Sequence, residues 1–110
     1  KTIGQDIFAD DHLIQLCGGF DHNFCADGEG LRSIAEAYEP ESGRVMEVLT
    51  DMPGVQLYTM NSIGPVLNKD GSPMIPHGAF CLETHQLEYA ILQCVRCLFR
   101  YRPKVQVSLI

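Results

Sequence analysis

The chain has little positive charge and no long apolar segment. Its 110 residues include 8 lysines and arginines against 14 aspartates and glutamates, a net charge of -6. Because nucleic acids and anionic membranes bind basic surfaces, we expect neither as a partner. The apolar runs are only a few residues long, far below the ~20 residues that span a bilayer. No charged segment followed by an apolar one opens the chain, so no secretory signal is visible. Lys1 stands where an initiator Met would stand, and we expect a processed chain or a piece of a longer one.

Cysteine is present in an odd number, five. Without a secretory signal, an odd count is typical of reduced thiols rather than of a disulfide framework, so we expect a cytoplasmic protein. The recurrence of His77, Cys81 and His85 every four residues raises the question of zinc, as does the Cys94/Cys97 pair. Zinc needs four ligands in tight geometry, whereas the first three residues would spread over roughly 26 Å on a strand. We therefore predict no metal site.

Charge and composition change near residue 86. Residues 1–86 carry thirteen acidic and four basic side chains, a balance of -9, and all ten glycines. Residues 87–110 carry one acidic and four basic side chains, a balance of +3, and no glycine. We therefore predict a domain over residues 1–86 and a divergent basic tail over residues 87–110.

Turn residues punctuate the first segment every eight to twelve residues, and short segments rich in β-branched and aromatic residues lie between them. Residues 44–50, 55–59 and 79–84 alternate as strands do. Residues 31–38 fit a strand or a short helix, but the turn at 39–43 favours a hairpin with the strand that follows. Strands at this spacing without long helices predict an all-β antiparallel sandwich or barrel.

The tail follows a different pattern. Its apolar residues from Leu87 to Phe99 recur at helical spacing, which predicts an amphipathic helix over residues 87–99. Pro103 would follow it, and residues 105–110 would form a short strand.

Three polar residues are candidates for a functional site. Glu83 lies in an otherwise apolar strand, where a carboxylate is costly unless paired or functional, and partial burial would raise its pKa towards the range of a general base. Its structural alternative is a strand end facing water. Asp21 lies in a polar cluster that suits binding to a polyol, although on local evidence an Asx-turn, in which His22 and Asn23 cap the backbone, is the simpler explanation. Gln56 is either a sugar contact or a solvated strand residue.

Five phrases, in this order and spacing, resemble the C-terminal part of the aldose 1-epimerase family. They are TIG (2–4), GFDHNF (19–24), EPESGRVMEV (39–48), TDMPGVQLYT (50–59) and GAFCLET (78–84). The resemblance covers residues 1 to about 86. It implies an antiparallel β-sandwich of the galactose-mutarotase-like fold, with an aldohexose bound in an open cleft on a concave sheet and no cofactor or metal.

The resemblance also implies roles for the three candidate residues. Glu83 matches the general base, which removes the proton of the anomeric hydroxyl. Asp21 and Gln56 match residues that contact the sugar. A histidine acid of the family protonates the ring oxygen, the ring opens, and closure on the other face gives the other anomer of galactose or glucose. One acid and one base of this kind each contribute roughly 10²–10⁴-fold.

The chain departs from the family pattern in two respects. The acid histidine of the family lies upstream of anything present, so we expect the 110-residue chain alone to be inactive or nearly so. The residues from about 85 onward differ from the family, and they are either foreign to the fold or a C-terminal helix that covers a sheet edge. The alternative function is a non-catalytic carbohydrate-binding or regulatory module on the same scaffold.

Overall fold

The structure, a computed structural model, describes residues 2–86 and the backbone of residues 99–100 and 106–109. This part of the chain forms two short helices and seven strands: α1 (Ile3–Asp6), α2 (His12–Cys17), β1 (Asp21–Cys25), β2 (Arg32–Glu39), β3 (Arg44–Thr50), β4 (Gly54–Tyr58), β5 (Ala79–His85), β6 (Phe99–Arg100) and β7 (Gln106–Leu109). The strands pair antiparallel in two sheets, ordered β1-β4-β5-β6 and β3-β2-β7. The predicted all-β antiparallel class is confirmed.

The hairpin of β2 and β3 is formed as the sequence predicted. Glu39 pairs with Arg44 at its closed end, and the Glu39 carboxylate accepts hydrogen bonds from the backbone N–H groups of Glu41 at 2.9 Å and Ser42 at 2.8 Å. Gly43 adopts φ 69°, a left-handed conformation that glycine reaches without strain. The turn therefore fixes the register of the hairpin through local chemistry.

The core lies between the two sheets. One residue in two along each strand points inward, because successive side chains of a strand project to opposite faces. The inward residues of β4 and β5 pack in one cluster with those of β2 and β3 and with two isoleucines from the N-terminal helix region: Val55, Leu57, Phe80, Leu82, Ala35, Ala37, Met46, Val48, Ile3 and Ile7. Burial of each large side chain stabilises the fold by about 1.5–3 kcal/mol.

Two short helices that the sequence analysis did not predict precede β1. The Asp11 carboxylate caps α2 by accepting from the N–H groups of Leu13 at 2.9 Å and Ile14 at 3.2 Å. Gly18 ends the helix in the left-handed conformation, at φ 70°. Helices of four and six residues are too short to show a helical period in the sequence.

The predictions for the tail have different outcomes. Residues 87–98, which make up most of the predicted helix, lie outside the described residues, and Phe99 begins β6. The strand expected in residues 105–110 is confirmed as β7, which pairs with β2. The boundary between a domain of residues 1–86 and a tail of residues 87–110 stays a prediction.

Candidate active site

One row of polar side chains crosses three strands of the larger sheet. Asn23 of β1 lies opposite Gln56 of β4, and Gln56 lies opposite Glu83 of β5. Directly opposite residues of an antiparallel pair project from the same face of the sheet. We call Asn23, Gln56 and Glu83 the site row, and the sheet surface that carries them the site face.

Asp21 lies on the same face, in the next row, where it is opposite Tyr58. Gln56 joins the two rows, because its Nε2 donates a hydrogen bond to Asp21 Oδ1 at 2.5 Å. The three residues singled out in the sequence, Asp21, Gln56 and Glu83, therefore share one face, and the first two are in direct contact. The opposite face of these strands is the core, so alternation separates the polar set from Val55 and Leu57.

Glu83 is an interior residue of β5, two positions before its end at His85, and its side chain is half-buried. The alternative of a carboxylate at a strand end that simply faces water does not fit this position. Among the residues described with side chains, none forms a hydrogen bond or ion pair with the Glu83 carboxylate. Its flanking residues on the site face are Cys81 and His85, both buried. A carboxylate placed in this way has open acceptor positions for a hydroxyl donor.

The start of β1 is held against the end of β4 by two side chains that the sequence analysis did not single out. Thr59 is almost fully buried, and its hydroxyl accepts from the Phe20 N–H at 2.9 Å. The Asn61 amide donates to the Phe20 carbonyl at 2.9 Å, and the Thr59 N–H donates to the same carbonyl at 3.0 Å. These contacts fix the backbone immediately before Asp21. The only sequence signal for these contacts was a Thr and an Asn two residues apart, directly after a strand.

All four histidines of the chain lie within residues 2–86. The His22 Nδ1 accepts from the Asp21 N–H at 2.9 Å, and its ring meets Phe20 edge to face. This local contact matches the structural interpretation of the polar cluster for His22. Its position beside Asp21 in β1 also directs its side chain to the other face of the sheet.

The other histidines have separate places. His12 opens α2. His77 contacts Gly18 O through Nε2 at 2.8 Å, and its ring meets Phe8 edge to face at 5.1 Å between centroids. His85 is 7% exposed, with Nδ1 donating to Gln86 O at 2.9 Å, while its Nε2 has no hydrogen-bond partner. His85 shares the strand and face of Glu83, so it stands beside that carboxylate in the sheet and not on an opposing wall.

The spacing of His77, Cys81 and His85 does not bring these residues together. His77 lies in the loop before β5 with φ 59°, while Cys81 lies inside that strand and His85 ends it. In the part of the chain that the structure describes, no three His, Cys, Asp or Glu side chains form a group that could hold a metal ion. The helices of the same part are also too short to cross a membrane.

Fold and site face together define an all-β sandwich protein with carboxylates and amides on one wall, a set that suits binding to neighbouring hydroxyl groups. The model of the family described as aldose 1-epimerase matches residues 1–93. The chain belongs to the aldose 1-epimerase family. The family match extends beyond residue 84, where the last of the five sequence phrases ends.

Curated relatives agree with the family assignment. The chain is 46% identical to the galactose mutarotase of Bos taurus, 44% to that of Homo sapiens and 42% to that of Rattus norvegicus, each over 77 residues. These alignments cover 68% of this chain and 22% of each relative, so the chain spans about a fifth of the length of the relatives it matches. No solved structure matches the chain.

Proposed function

We propose that this chain supplies the general base and two sugar contacts of an aldose 1-epimerase site that interconverts the α and β anomers of a hexose such as galactose or glucose. The observation that carries the proposal is the common face of Asp21, Gln56 and Glu83, with Asp21 and Gln56 hydrogen-bonded to each other. The family membership and the galactose mutarotase relatives support the same reaction class.

In the proposed reaction Glu83 removes the proton from the anomeric hydroxyl. Its carboxylate suits this step because it is half-buried within a strand and its oxygens carry no hydrogen bond from the side chains of residues 2–86. Asp21 and Gln56 bind further hydroxyls, and their mutual hydrogen bond fixes the orientation of the Gln56 amide. With Nε2 donating to Asp21, the Gln56 carbonyl oxygen is left to accept from a sugar hydroxyl.

Ring opening also needs an acid that protonates the ring oxygen on the other side of the hemiacetal. None of the four histidines lies opposite Glu83. His12 lies in α2 and His22 on the core side of β1. His77 lies in a loop against Phe8, and His85 lies beside Glu83 in β5. We therefore propose that the 110-residue chain alone binds the sugar but converts its anomers slowly or not at all. General acid catalysis of this kind contributes roughly 10²–10⁴-fold.

Two measurements on the 110-residue chain test the proposal. Saturation-transfer NMR with galactose detects binding, and polarimetry follows anomer conversion. We expect binding that Gln56→Ala weakens, and a polarimetric rate equal to that of the buffer or only slightly above it. Absence of sugar binding would contradict the proposed site, and rapid conversion by the chain alone would contradict its inactivity.

The second candidate function is a non-catalytic sugar-binding or regulatory module, which the positions of the four histidines favour. Imidazole in solution separates the two functions, because its conjugate acid can replace a missing histidine. If Glu83 is a catalytic base, the chain with imidazole should exceed the mutarotation rate of imidazole alone, and Glu83→Gln should remove the excess. Glu47→Gln is the matched control and should keep the excess, because Glu47 is an exposed carboxylate on the outer face of β3. A chain that binds galactose without any such excess would support the binding module.

For the compartment we propose the cytoplasm. Cys17 and Cys25 are free thiols, and free thiols persist in a reducing compartment. Fractionation of cells that produce the protein tests this proposal directly.

A further inference from the structure

Asn23 occupies one end of the site row. It lies directly opposite Gln56, which lies directly opposite Glu83. Its side chain is exposed on the site face, and no side chain of residues 2–86 forms a hydrogen bond with its amide. Asn23 therefore has both its donors and its acceptor available to a ligand.

The polar groups on this face are unbalanced in their hydrogen-bonding capacity. The ionised carboxylates of Asp21 and Glu83 only accept hydrogen bonds, and Gln56 directs an N–H of its amide to Asp21. A sugar hydroxyl both donates and accepts, and the second N–H of Gln56 is the one donor that these three side chains leave for it. The Asn23 amide adds two N–H donors that nothing else in residues 2–86 uses.

The geometry of the row also indicates that Asn23 and Glu83 meet different parts of the sugar. Neighbouring strands lie about 4.8 Å apart, so the backbones that carry Asn23 and Glu83 are roughly 10 Å apart across two strand intervals. If Glu83 acts on the anomeric hydroxyl, a group at this separation meets the ring at a different hydroxyl. We infer that Asn23 is a further substrate-binding residue, which donates a hydrogen bond to a non-anomeric hydroxyl of the sugar. The inference rests on the proposed function.

Galactose titrations of the 110-residue chain by NMR test the inference. We expect Asn23→Ala to weaken binding about 3- to 10-fold, which corresponds to the loss of one net hydrogen bond. Asn23→Asp keeps the shape of the side chain but removes its donors, so it should weaken binding at least as much. Cys25→Ser is the control, because Cys25 is exposed on the same face of the same strand, one row further on.

Monodeoxy derivatives of galactose then identify the hydroxyl. One derivative should bind to the native chain and to Asn23→Ala with equal affinity, because the contact that the substitution removes is already missing from it. If Asn23→Ala binds galactose within twofold of the native chain while Gln56→Ala binds it more weakly, the inference is wrong and the proposed function stands. If the native chain does not bind galactose, both are wrong. Circular dichroism confirms that each variant is folded.

Discussion

Replacement of Arg32 by methionine tests how the chain is held where it crosses between the two sheets. Arg32 is the first residue of β2, and its guanidinium donates five hydrogen bonds to backbone carbonyls. Three of these carbonyls, those of Ala26, Asp27 and Gly30, belong to the crossing from β1 to β2. The other two, those of Thr50 and Met52, belong to the crossing from β3 back to β4. One side chain therefore binds both of the segments that connect the two sheets.

The size of the effect follows from the surroundings of each bond. The bonds to Asp27 at 2.6 Å and Gly30 at 3.0 Å are exposed, so water can replace the arginine there. The bonds to Ala26 at 3.1 Å and to Thr50 and Met52 at 3.3 Å are partly buried. At about 1 kcal/mol for each partly buried bond, Arg32→Met should lower the free energy of unfolding by about 3 kcal/mol.

Urea denaturation of the 110-residue chain measures this change. Arg32→Lys should lose roughly half as much, because one ammonium group cannot match a planar fork with five donors. Arg44→Met is the control, since Arg44 is exposed at the start of β3, and its effect should stay within about 0.5 kcal/mol. If the loss of unfolding free energy for Arg32→Met is within the range of the control, or if Arg32→Lys is as stable as the native chain, the guanidinium does not stabilise these connections.

Three further predictions concern the approach to β1 and the thiols. Gly19→Ala should lower the free energy of unfolding by about 2 kcal/mol or more, because Gly19 has φ 147° and an added Cβ would lie 2.8 Å from Thr59 Oγ1 and closer still to Asn61 Oδ1. Thr59→Val should lower it by about 1–3 kcal/mol, because it leaves a partly buried backbone N–H without its acceptor. Cys25, which is exposed, should be alkylated by iodoacetamide in the native chain, whereas Cys81 at 3% exposure should react only after unfolding, as mass spectrometry will show.

Each of these predictions has a matched comparison. Gly43→Ala at φ 69° has nothing within 4 Å of the added Cβ, so it isolates the backbone strain of about 1 kcal/mol. Thr84→Val removes a hydroxyl that no side chain of residues 2–86 hydrogen-bonds. Equal losses for the two glycine variants, or for the two threonine variants, would contradict the contacts assigned to Gly19 and Thr59. Equal alkylation of both thiols in the native chain would contradict the burial of Cys81.

The sequence predicted the strands well because their alternation and their turns are local features. In the β3 strand, Val45, Glu47 and Leu49 lie on one face and Met46 and Val48 on the other, and only the second set packs on the core. Turn chemistry around Gly43 then set the hairpin register. Both signals depend on residues that are close in sequence, which is why they could be interpreted without a structure.

The missing parts of the prediction depend on partners that are distant in sequence. Arg32 binds carbonyls up to twenty residues away, and Thr59 acts on a residue thirty-nine positions before it. These distant partners are backbone groups, so no charge or polarity pattern in the sequence predicts the contacts. The placement of Asn23 opposite Gln56 likewise needs the pairing of β1 with β4, which joins strands that are not consecutive. Arg32 and Thr59 were therefore not singled out, and Asn23 was considered only as a member of the polar cluster around Asp21.

One strand register determines which side chains form the core and which lie on the site face. The packing of the core therefore also determines the position of the site row. A slip of one residue between strands would turn every side chain of one strand to the other face. A slip of β4 would move Leu57 out of the core and put Gln56 into it, and a slip of β5 would do the same to Leu82 and Glu83. Each leucine removed from the core would cost up to about 1.5–3 kcal/mol, and each polar group placed there would add a desolvation penalty. Packing on one face therefore orients the carboxylate and the amide on the other face without the need for a ligand.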